Sequence, residues 1–388
     1  MVQDFNPISD TSRIEIVDIL RGFALLGVLL ANVPFDHTMM EDSHLDVLLS
    51  SGFDLFINRK FITLFSMLFG FGFHIQMIRA QNRGVDFTGY FLKRMGLLFL
   101  IGTIHCFFLW HGDILMSYAF GGVFLLVVKS WSVRKLTQLA IFFCVFLTGM
   151  LFIGNTVLGW QTHNYDVDLI RQFPLAESYV EYISINFQIA PWINFIQDMP
   201  VTLVFTFGNM VVGLVLGKLG FFLKPGKLKW LTNGFIILGF SVGLLSSYLF
   251  HLVNTERLQL DVSLVWLPFL VIAGMLLQTL GYVAVFIKLG HTPLFKKLFS
   301  WFKYVGRTAL SNYILQSVFY LLAIFHAIDS YGLYGKIARA ETYLLAGLFF
   351  ALQSFLSDIW LRKHHQGPIE YLWKKMSYGG WFKQIRNA

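Results

Sequence analysis

Charged residues are scarce in this sequence: they make up 13% of its 388 residues, whereas 56% of the residues are hydrophobic. A soluble domain carries about a quarter charged residues. The deficit excludes an ordinary soluble domain, because most of this surface is not suited to contact with water. Hydrophobic stretches of about 20 residues recur along nearly the whole chain, which is typical of helices that cross a bilayer. The composition therefore predicts an all-α fold, a polytopic integral membrane helical bundle.

Cysteine is also scarce. The two cysteines, Cys106 and Cys144, lie within hydrophobic stretches, so a disulfide framework is excluded and a packing role is expected for both. The histidines show no metal-ligand spacing such as His-x-x-x-His, and no metal site is predicted. No serine or cysteine stands out as a nucleophile. These absences favour direct group transfer over metal-assisted chemistry or a covalent intermediate.

The hydrophobic pattern predicts about ten transmembrane helices in a single domain, 1–388. The predicted spans are 14–33, 61–78, 94–110, 113–128, 136–158, 200–217, 231–250, 262–287, 305–326 and 342–361. The first is too long for a signal-peptide core and is interpreted as a retained anchor. An N-terminal half (about 1–160) is followed by an outer loop or lid (about 160–199) and a C-terminal half (about 200–388).

Lysine and arginine are distributed unevenly between the two sides of these spans. The loops on the side of both termini carry most of them, and the opposite loops carry few. The positive-inside rule therefore predicts cytoplasmic termini and a multi-pass protein of the cell membrane. This placement accounts for the net charge of +8 without a nucleic-acid partner.

Several ionisable or amide side chains lie inside the predicted spans, where such groups are costly and are functional candidates by default. In the first span Asn32 follows Arg21 by eleven residues, and in the third span His105 follows Arg94 by eleven residues. Eleven residues of helix span about 16 Å and return nearly to the same face. If the two arginines lie at similar inner levels, Asn32 and His105 lie at similar depth nearer the outside.

The turn after the third span adds His111 and Asp113 at the outer mouth of the bundle. On one straight helix Asp113 would lie about 12 Å from His105. The Gly112 turn folds it back in one interpretation, and His111 is its partner in the other. Close to neutral pH an imidazole is suited to act as a general base, and a carboxylate can fix its tautomer.

The ninth span carries a second polar line in which Asn312 and Gln316 share one helical face. Gln316 lies about 13 Å outward of Arg307, close to the level of His105. We predict that Asn32 and Gln316 donate hydrogen bonds to a developing oxyanion. The structural alternatives are that Asn312 and Gln316 only join helices and that Arg21 only pairs with Asp18.

Five motifs resemble the YeiB-like bacterial membrane proteins, known as domain of unknown function 418. They are "DILRGFALLGVLLANV" (18–33), "KFITLFSMLFGFGF" (60–73), "HCFFLWHGDILMSYAFGG" (105–122), "GRTALSNYILQS" (306–317) and "GPIEYLW" (367–373). The last motif differs from the usual pattern at Ile369, Tyr371 and Lys374. The resemblance covers nearly the full chain and extends, distantly, to the heparan-glucosaminide N-acetyltransferase and the acyltransferase-3 group.

The resemblance implies a cytoplasmic acyl-CoA donor and an acceptor on the far side of the membrane. Arg21, Gly22 and Asn32 match the first-span pattern of the heparan enzyme, but His37 follows Asn32 too closely to match that enzyme's histidine. His105 is therefore our predicted catalytic base.

We thus predict a membrane acyltransferase that acts on an outward-facing hydroxyl or amine of a glycan or lipid head group. The predicted catalytic residues are His105, Asp113 and Asn32, and the predicted substrate-binding residues are Arg21, His111, Asn312, Gln316, Arg94 and Arg307. The expected partners are membrane lipids, acyl-CoA and the unknown extracytoplasmic acceptor, with a homodimer left open. The rival interpretation is a transporter of a small or amphipathic solute, and a third is a ligand-sensing or assembly protein.

Overall fold

The computed structural model describes residues 14–32, 43–84, 86–156, 176–190, 199–223, 225–255, 257–258, 264, 266–324, 332–334 and 336–378. Over these ranges the regular structure is entirely helical. The helices are α1 (Glu15–Ala31), α2 (His44–Phe56), α3 (Lys60–Asn82), α4 (Phe87–Phe108), α5 (Leu115–Val128), α6 (Val133–Ile141), α7 (Thr148–Thr156), α8 (Tyr179–Ala190), α9 (Met199–Leu219), α10 (Lys229–Phe240), α11 (Val242–Asn254), α12 (Leu267–Leu289), α13 (Pro293–Phe299), α14 (Phe302–Arg307), α15 (Ala309–Phe319), α16 (Arg339–Lys363) and α17 (Pro368–Tyr378). His37 and most of the predicted lid lie outside the described residues.

The all-α membrane bundle predicted from the composition is confirmed. Seven helical segments within the described ranges are long and apolar enough to cross a membrane, and the helices Leu115–Val128 and Ala309–Ile324 are apolar but shorter. The count of ten spans is not confirmed. One reason is that α1 has 17 residues, slightly fewer than the roughly 20 that a bilayer requires.

Two predicted spans are interrupted. The ninth predicted span consists of two helices: α14 ends at Arg307 and α15 begins at Ala309. Between them Thr308 lies outside the helical region, with φ −117° and ψ 37°. The seventh divides at Ser241, between α10 and α11. Hydrophobicity alone does not detect the interruption at Ser241, since Phe240 and Val242 on either side are both apolar.

Glycine lets the central helices pack at the distance of backbone contact. A Cβ atom on Gly70 of α3 would lie 1.9 Å from the carbonyl oxygen of Met210 in α9, and one on Gly213 of α9 would lie 1.9 Å from that of Met67. Small residues at helix crossings stabilise membrane bundles by permitting this approach. Gly70 thus serves as a packing position between α3 and α9.

Candidate functional site

A cavity of about 470 Å³ lies among α1, α3, α4, α14, α15 and α17. Arg21, Arg94 and Arg307 border one end of it, which we call the inner end, on the side predicted to be cytoplasmic. The opposite, outer end is bordered by Asn32, Asn58 and Arg59. Because Arg21 and Asn32 are eleven residues apart on α1, the cavity follows that helix for about 16 Å.

The middle of the cavity is apolar. Its wall there includes Leu25, Val28, Phe65, Leu68, Phe91 and Leu98. The cavity therefore combines two polar ends with a hydrophobic centre. This arrangement is suited to a molecule with a hydrophobic chain and a charged head group.

The inner end is rich in guanidinium groups. Arg21 forms an ion pair with Asp18 at 2.9 Å, as the structural alternative for this residue expects. Arg94 lies 3.7 Å from the ring centroid of Trp373 and donates a hydrogen bond to the hydroxyl of Tyr90 at 3.1 Å. Guanidinium groups bind phosphate through paired hydrogen bonds, so this end is suited to a phosphorylated ligand.

Two Arg–Gly neighbours in the sequence explain how the inner end is assembled. A Cβ atom on Gly22 would lie 2.0 Å from the carbonyl oxygen of Phe302, and one on Gly306 would lie 1.8 Å from that of Asp18. Only glycine allows α1 and α14 to cross this closely. The crossing places Arg21 and Arg307, which precede and follow these glycines, at the same end of the cavity.

Helix α17 closes part of the inner end. The Glu370 carboxylate accepts hydrogen bonds from the backbone N–H groups of Leu310 at 2.6 Å and Ser311 at 3.2 Å. These donors lie in the first turn of α15 and have no partner inside the helix, so an acidic side chain is stabilising there. Burial raises the pKa of Glu370, while these hydrogen bonds act in the opposite direction.

His105 lies in a hydrogen-bonded chain of three side chains. Its Nδ1 is 2.7 Å from Oδ2 of Asp113, and its Nε2 is 2.7 Å from Oγ of Ser317. The carboxylate can only accept from Nδ1–H of a neutral imidazole, which leaves Nε2 to accept the hydroxyl proton of Ser317. This is the arrangement of a nucleophile, a base and an orienting acid.

The turn at Leu109–Ile114 brings Asp113 to His105. Helix α4 ends at Phe108, and the returning chain places Oδ1 of Asp113 where a Cβ atom on Gly102 would lie only 2.8 Å away. Asp113 pairs with His105, whereas the ring of His111 stacks on Trp110 with an interplanar angle of 6°. Burial lowers the pKa of His111 to about 4, so this imidazole is neutral near pH 7.

The His105 chain adjoins the cavity without bordering it. His105 is 1% exposed, and Asp113 and Ser317 are buried. Tyr313 borders the cavity and packs against His105 with ring centroids 5.0 Å apart. One aromatic side chain therefore contacts both the candidate base and the cavity.

Asn312 and Gln316 lie outside the cavity wall. Asn312 Nδ2 donates to Oγ1 of Thr308 at 2.7 Å and to Oγ of Ser357 at 2.9 Å. Gln316 Nε2 donates to the carbonyl oxygen of Leu25 at 3.2 Å and to Oε1 of Gln353 at 3.2 Å. Both amides thus join α15 to neighbouring segments, and their part in substrate binding stays a prediction.

The described part of the predicted lid, 176–190, contains α8, which packs on the outer end of α4. Asn186 Nδ2 donates to the carbonyl oxygens of Cys106 and Phe107, both at 2.7 Å. The hydroxyl of Tyr179 donates to the carbonyl oxygen of Phe108 at 3.0 Å. These carbonyls belong to the last turn of α4 and have no partner inside that helix. Helix α8 therefore fixes the turn that carries Asp113.

Replacing Asn186 with alanine should lower the free energy of unfolding by about 1–3 kcal/mol, because two buried carbonyl groups lose their donor. Thermal unfolding of the purified protein in detergent measures the loss. Gln188→Ala is the matched control, since this side chain is exposed on the same helix and bonds only Ser184 at 3.2 Å. Equal losses in the two variants would contradict the role given to Asn186.

Sequence analysis missed two residues of this site. In the sequence, Ser317 looks like an ordinary serine at a helix contact. Only the crossing of α4 and α15 shows that its side chain contacts His105. The sequence suggests that Arg59 is a cation of an outer loop, but in the structure it borders the cavity. The sequence signal for Arg59 was its position beside Lys60 and five residues after Asp54, at the start of a hydrophobic stretch.

Comparison with known proteins gives one family match and several full-length relatives. A family model described as "Protein of unknown function (DUF418)" matches residues 216–380. The chain is 27% identical to the uncharacterized protein YxaH of Bacillus subtilis (strain 168), over 98% of each chain. It is 28% identical to an uncharacterized 39.9 kDa protein of Bacillus acidopullulyticus over 96% of each, and 27% identical to the uncharacterized protein YeiB of Escherichia coli (strain K12) over 93% of this chain and 95% of YeiB. The resemblance to the YeiB-like proteins is thus confirmed: the C-terminal half matches the DUF418 family model, and the chain is similar along its length to YxaH and YeiB.

Proposed function

We propose that this protein is an integral-membrane acyltransferase of the cell membrane. It would move an acyl group from cytoplasmic acyl-CoA to an outward-facing hydroxyl or amine, on a glycan or a lipid head group. The observation that supports this proposal is the cavity that joins the arginines of the inner end to the asparagines of the outer end. A donor and an acceptor that enter from opposite sides can meet in such a cavity.

The inner end would bind the donor. Arg21, Arg94 and Arg307 supply cations for the phosphates of coenzyme A, and the apolar middle accommodates the acyl chain. The thioester would then lie between the two ends. Binding energy from the phosphates and the chain would position the reacting carbonyl.

His105 would act as the base. The acceptor oxygen or nitrogen attacks the thioester carbonyl carbon, the carbon–sulfur bond breaks, and the coenzyme A thiolate leaves. Nε2 of His105 takes the proton of the acceptor and passes it to the thiolate, while Asp113 stabilises the intermediate imidazolium. The Asn32 amide, at the outer end, would donate to the carbonyl oxygen. The Tyr313 ring moves aside in this scheme so that the acceptor replaces Ser317 at Nε2.

Donor binding is tested by thermal unfolding of the purified protein with acetyl-CoA and with a long-chain acyl-CoA. A ligand that binds the folded state raises the unfolding temperature. Arg94→Gln and Arg307→Gln should each weaken binding about 10-fold or more, because each removes a charged donor. Lys303→Gln is the matched control, since Lys303 lies on α14 and pairs instead with Glu15 at 3.0 Å. The absence of any wild-type shift at saturating acyl-CoA would contradict the proposal.

The second candidate function is transport of an amphipathic solute, and the interruption at Thr308 favours it. Broken helices at binding sites are common in transporters, and α15 begins at the cavity with Leu310 in its wall. Proteoliposomes distinguish the two functions. A transporter moves a labelled solute unchanged, whereas an acyltransferase releases free coenzyme A in proportion to the modified acceptor.

A further inference from the structure

The "GPIEYLW" motif (367–373) contains the start of α17, and its side chains divide between two faces of that helix. Glu370 and Trp373 are three residues apart, so they lie on the same side of α17. Both border the cavity. Tyr371 and Leu372, which lie between them in the sequence, are each 53% exposed. One face of the motif is therefore part of the wall of the inner end, and the other face is turned away from the cavity.

The beginning of the motif is fixed to α15. In addition to the backbone hydrogen bonds of Glu370, the hydroxyl of Ser311 donates to Oε2 of Glu370 at 2.5 Å and accepts from the backbone N–H of Ile369 at 3.1 Å. A Cβ atom on Gly367 would lie 2.2 Å from Oε2 of Glu370 and 2.7 Å from Oγ of Ser311. A side chain at this position would thus displace the carboxylate from Ser311. The first turn of α17 is therefore held against the start of α15.

The end of the motif is fixed to α4, because Trp373 contacts Arg94 in two ways. Cζ of Arg94 lies 3.7 Å from the ring centroid of Trp373, and Nε1 of Trp373 donates to the backbone carbonyl oxygen of Arg94 at 2.9 Å. The tryptophan is buried, with 9% exposure, and a cation–π contact is stronger where water is excluded. A guanidinium carries its five N–H donors in its own plane. The ring therefore holds one face of Arg94 and leaves the donors available.

Most of these donors have no partner within the part of the chain that the structure describes. There Arg94 donates one side-chain hydrogen bond, to the hydroxyl of Tyr90 at 3.1 Å, and it forms no ion pair with a carboxylate. Arg21 and Arg307 add further positive charge at this end of the cavity. A partly buried cation is costly unless an anion compensates it, and phosphate matches the geometry of a guanidinium.

We propose that Trp373 is a positioning residue of the inner end: it holds the guanidinium of Arg94 at the cavity, where that guanidinium binds a phosphate of the ligand. Glu370 anchors the helix that carries this ring, so the phosphate site is complete only while α17 is docked. The identification of the ligand as the acyl-CoA donor rests on the proposed acyltransferase function, whereas phosphate binding at Arg94 does not. The motif thus has a function in ligand binding in addition to helix packing.

The test measures the binding of coenzyme A and of inorganic pyrophosphate to the purified full-length protein by calorimetry. Trp373→Leu should weaken the binding of both ligands about 5-fold or more, because the guanidinium loses the ring beneath it. Trp373→Phe should retain more of the affinity, since phenylalanine keeps an aromatic ring at this position. Tyr371→Leu is the matched control, because it removes a neighbouring aromatic ring from the exposed face of α17. We expect it to leave both affinities unchanged.

A double-mutant cycle separates positioning from a general loss of structure. If Trp373 acts through Arg94, Trp373→Leu should change the affinity by less than about 2-fold in a protein that already carries Arg94→Gln. A tryptophan needed only for folding would lower the affinity by the same factor with and without Arg94. The unfolding temperature verifies that each variant is folded. The same cycle with Trp373→Phe, a smaller change, keeps the test valid if Trp373→Leu does not fold.

Equal losses of affinity in the two backgrounds would overturn the proposal, as would wild-type affinity in Trp373→Leu. The absence of binding of both coenzyme A and pyrophosphate by the wild type would overturn it too. Failure of the proposed acyltransferase function gives a different result. In that case coenzyme A does not bind, while pyrophosphate binds with an affinity that depends on Trp373 only when Arg94 is present.

Discussion

Replacing His105 with glutamine should reduce acyl transfer about 100- to 10,000-fold, the range expected when a general base is lost. Glutamine retains hydrogen-bonding capacity towards Asp113 and Ser317 but cannot take a proton from the acceptor. The measurement is the release of free coenzyme A from acyl-CoA by membranes that contain the protein, with membranes that lack it as the background. The unfolding temperature and the acyl-CoA shift should stay close to those of the wild type.

His251→Gln is the matched control for this prediction. His251 is also a buried histidine paired with an aspartate, Asp54, at 3.0 Å, but its helix, α11, contributes no residue to the cavity wall. We expect this variant to retain transfer. Ser317→Ala should retain transfer as well, since the acceptor replaces Ser317 at Nε2 in our scheme. Full activity in His105→Gln would refute the assigned base, and complete loss in Ser317→Ala would indicate an acyl-serine intermediate instead.

Replacing Gly306 with alanine should destabilise the protein by about 1–3 kcal/mol or more, because the added methyl group collides with backbone rather than with a mobile side chain. A Cβ atom there would lie 1.8 Å from the carbonyl oxygen of Asp18 and 2.9 Å from the backbone nitrogen of Gly22. Helices α1 and α14 must then separate, and Arg21 and Arg307 separate with them. Acyl-CoA affinity should fall together with the unfolding temperature.

Gly347→Ala is the control for Gly306, since a Cβ atom at Gly347 meets nothing within 4 Å. In the interior of α16 alanine is a better helix former than glycine by up to about 1 kcal/mol. This variant should therefore keep or slightly raise the unfolding temperature and leave acyl-CoA binding unchanged. A Gly306→Ala protein as stable as Gly347→Ala would contradict the close crossing of α1 and α14.

The helical membrane fold could be predicted from the sequence because hydrophobicity and length govern which segments cross a bilayer. The relative levels of Arg21 and Asn32 could also be predicted, since both lie on one helix with a fixed rise. The interruption at Thr308 could not, because hydrophobicity does not report the backbone dihedral angles of a residue. It is stabilised by Glu370, 62 residues later. The carboxylate of Glu370 accepts hydrogen bonds from the first N–H groups of α15, which have no partner within that helix.

Of the two partners of His105, one could be predicted from the sequence and the other could not. Asp113 is eight residues away, and a turn at Gly112 could be expected to bring it into contact with His105. Ser317 is separated from His105 by 212 residues, so its contact depends on how α4 and α15 pack. Contacts between distant segments are set by tertiary packing, and neither local periodicity nor residue type predicts them. Arg59 was missed because only the packed bundle shows that it borders the cavity.

The position of Tyr313 has a consequence for how well the proposed acyl donor is protected from hydrolysis. The ring borders the cavity and packs against His105, so in the proposed reaction a thioester bound without an acceptor would have no base beside it to activate water. Exclusion of water from the reacting groups prevents wasteful hydrolysis of an activated substrate. If the protein transfers acyl groups as we propose, it would hold acyl-CoA without hydrolysing it and would transfer the acyl group only to an acceptor that displaces Tyr313.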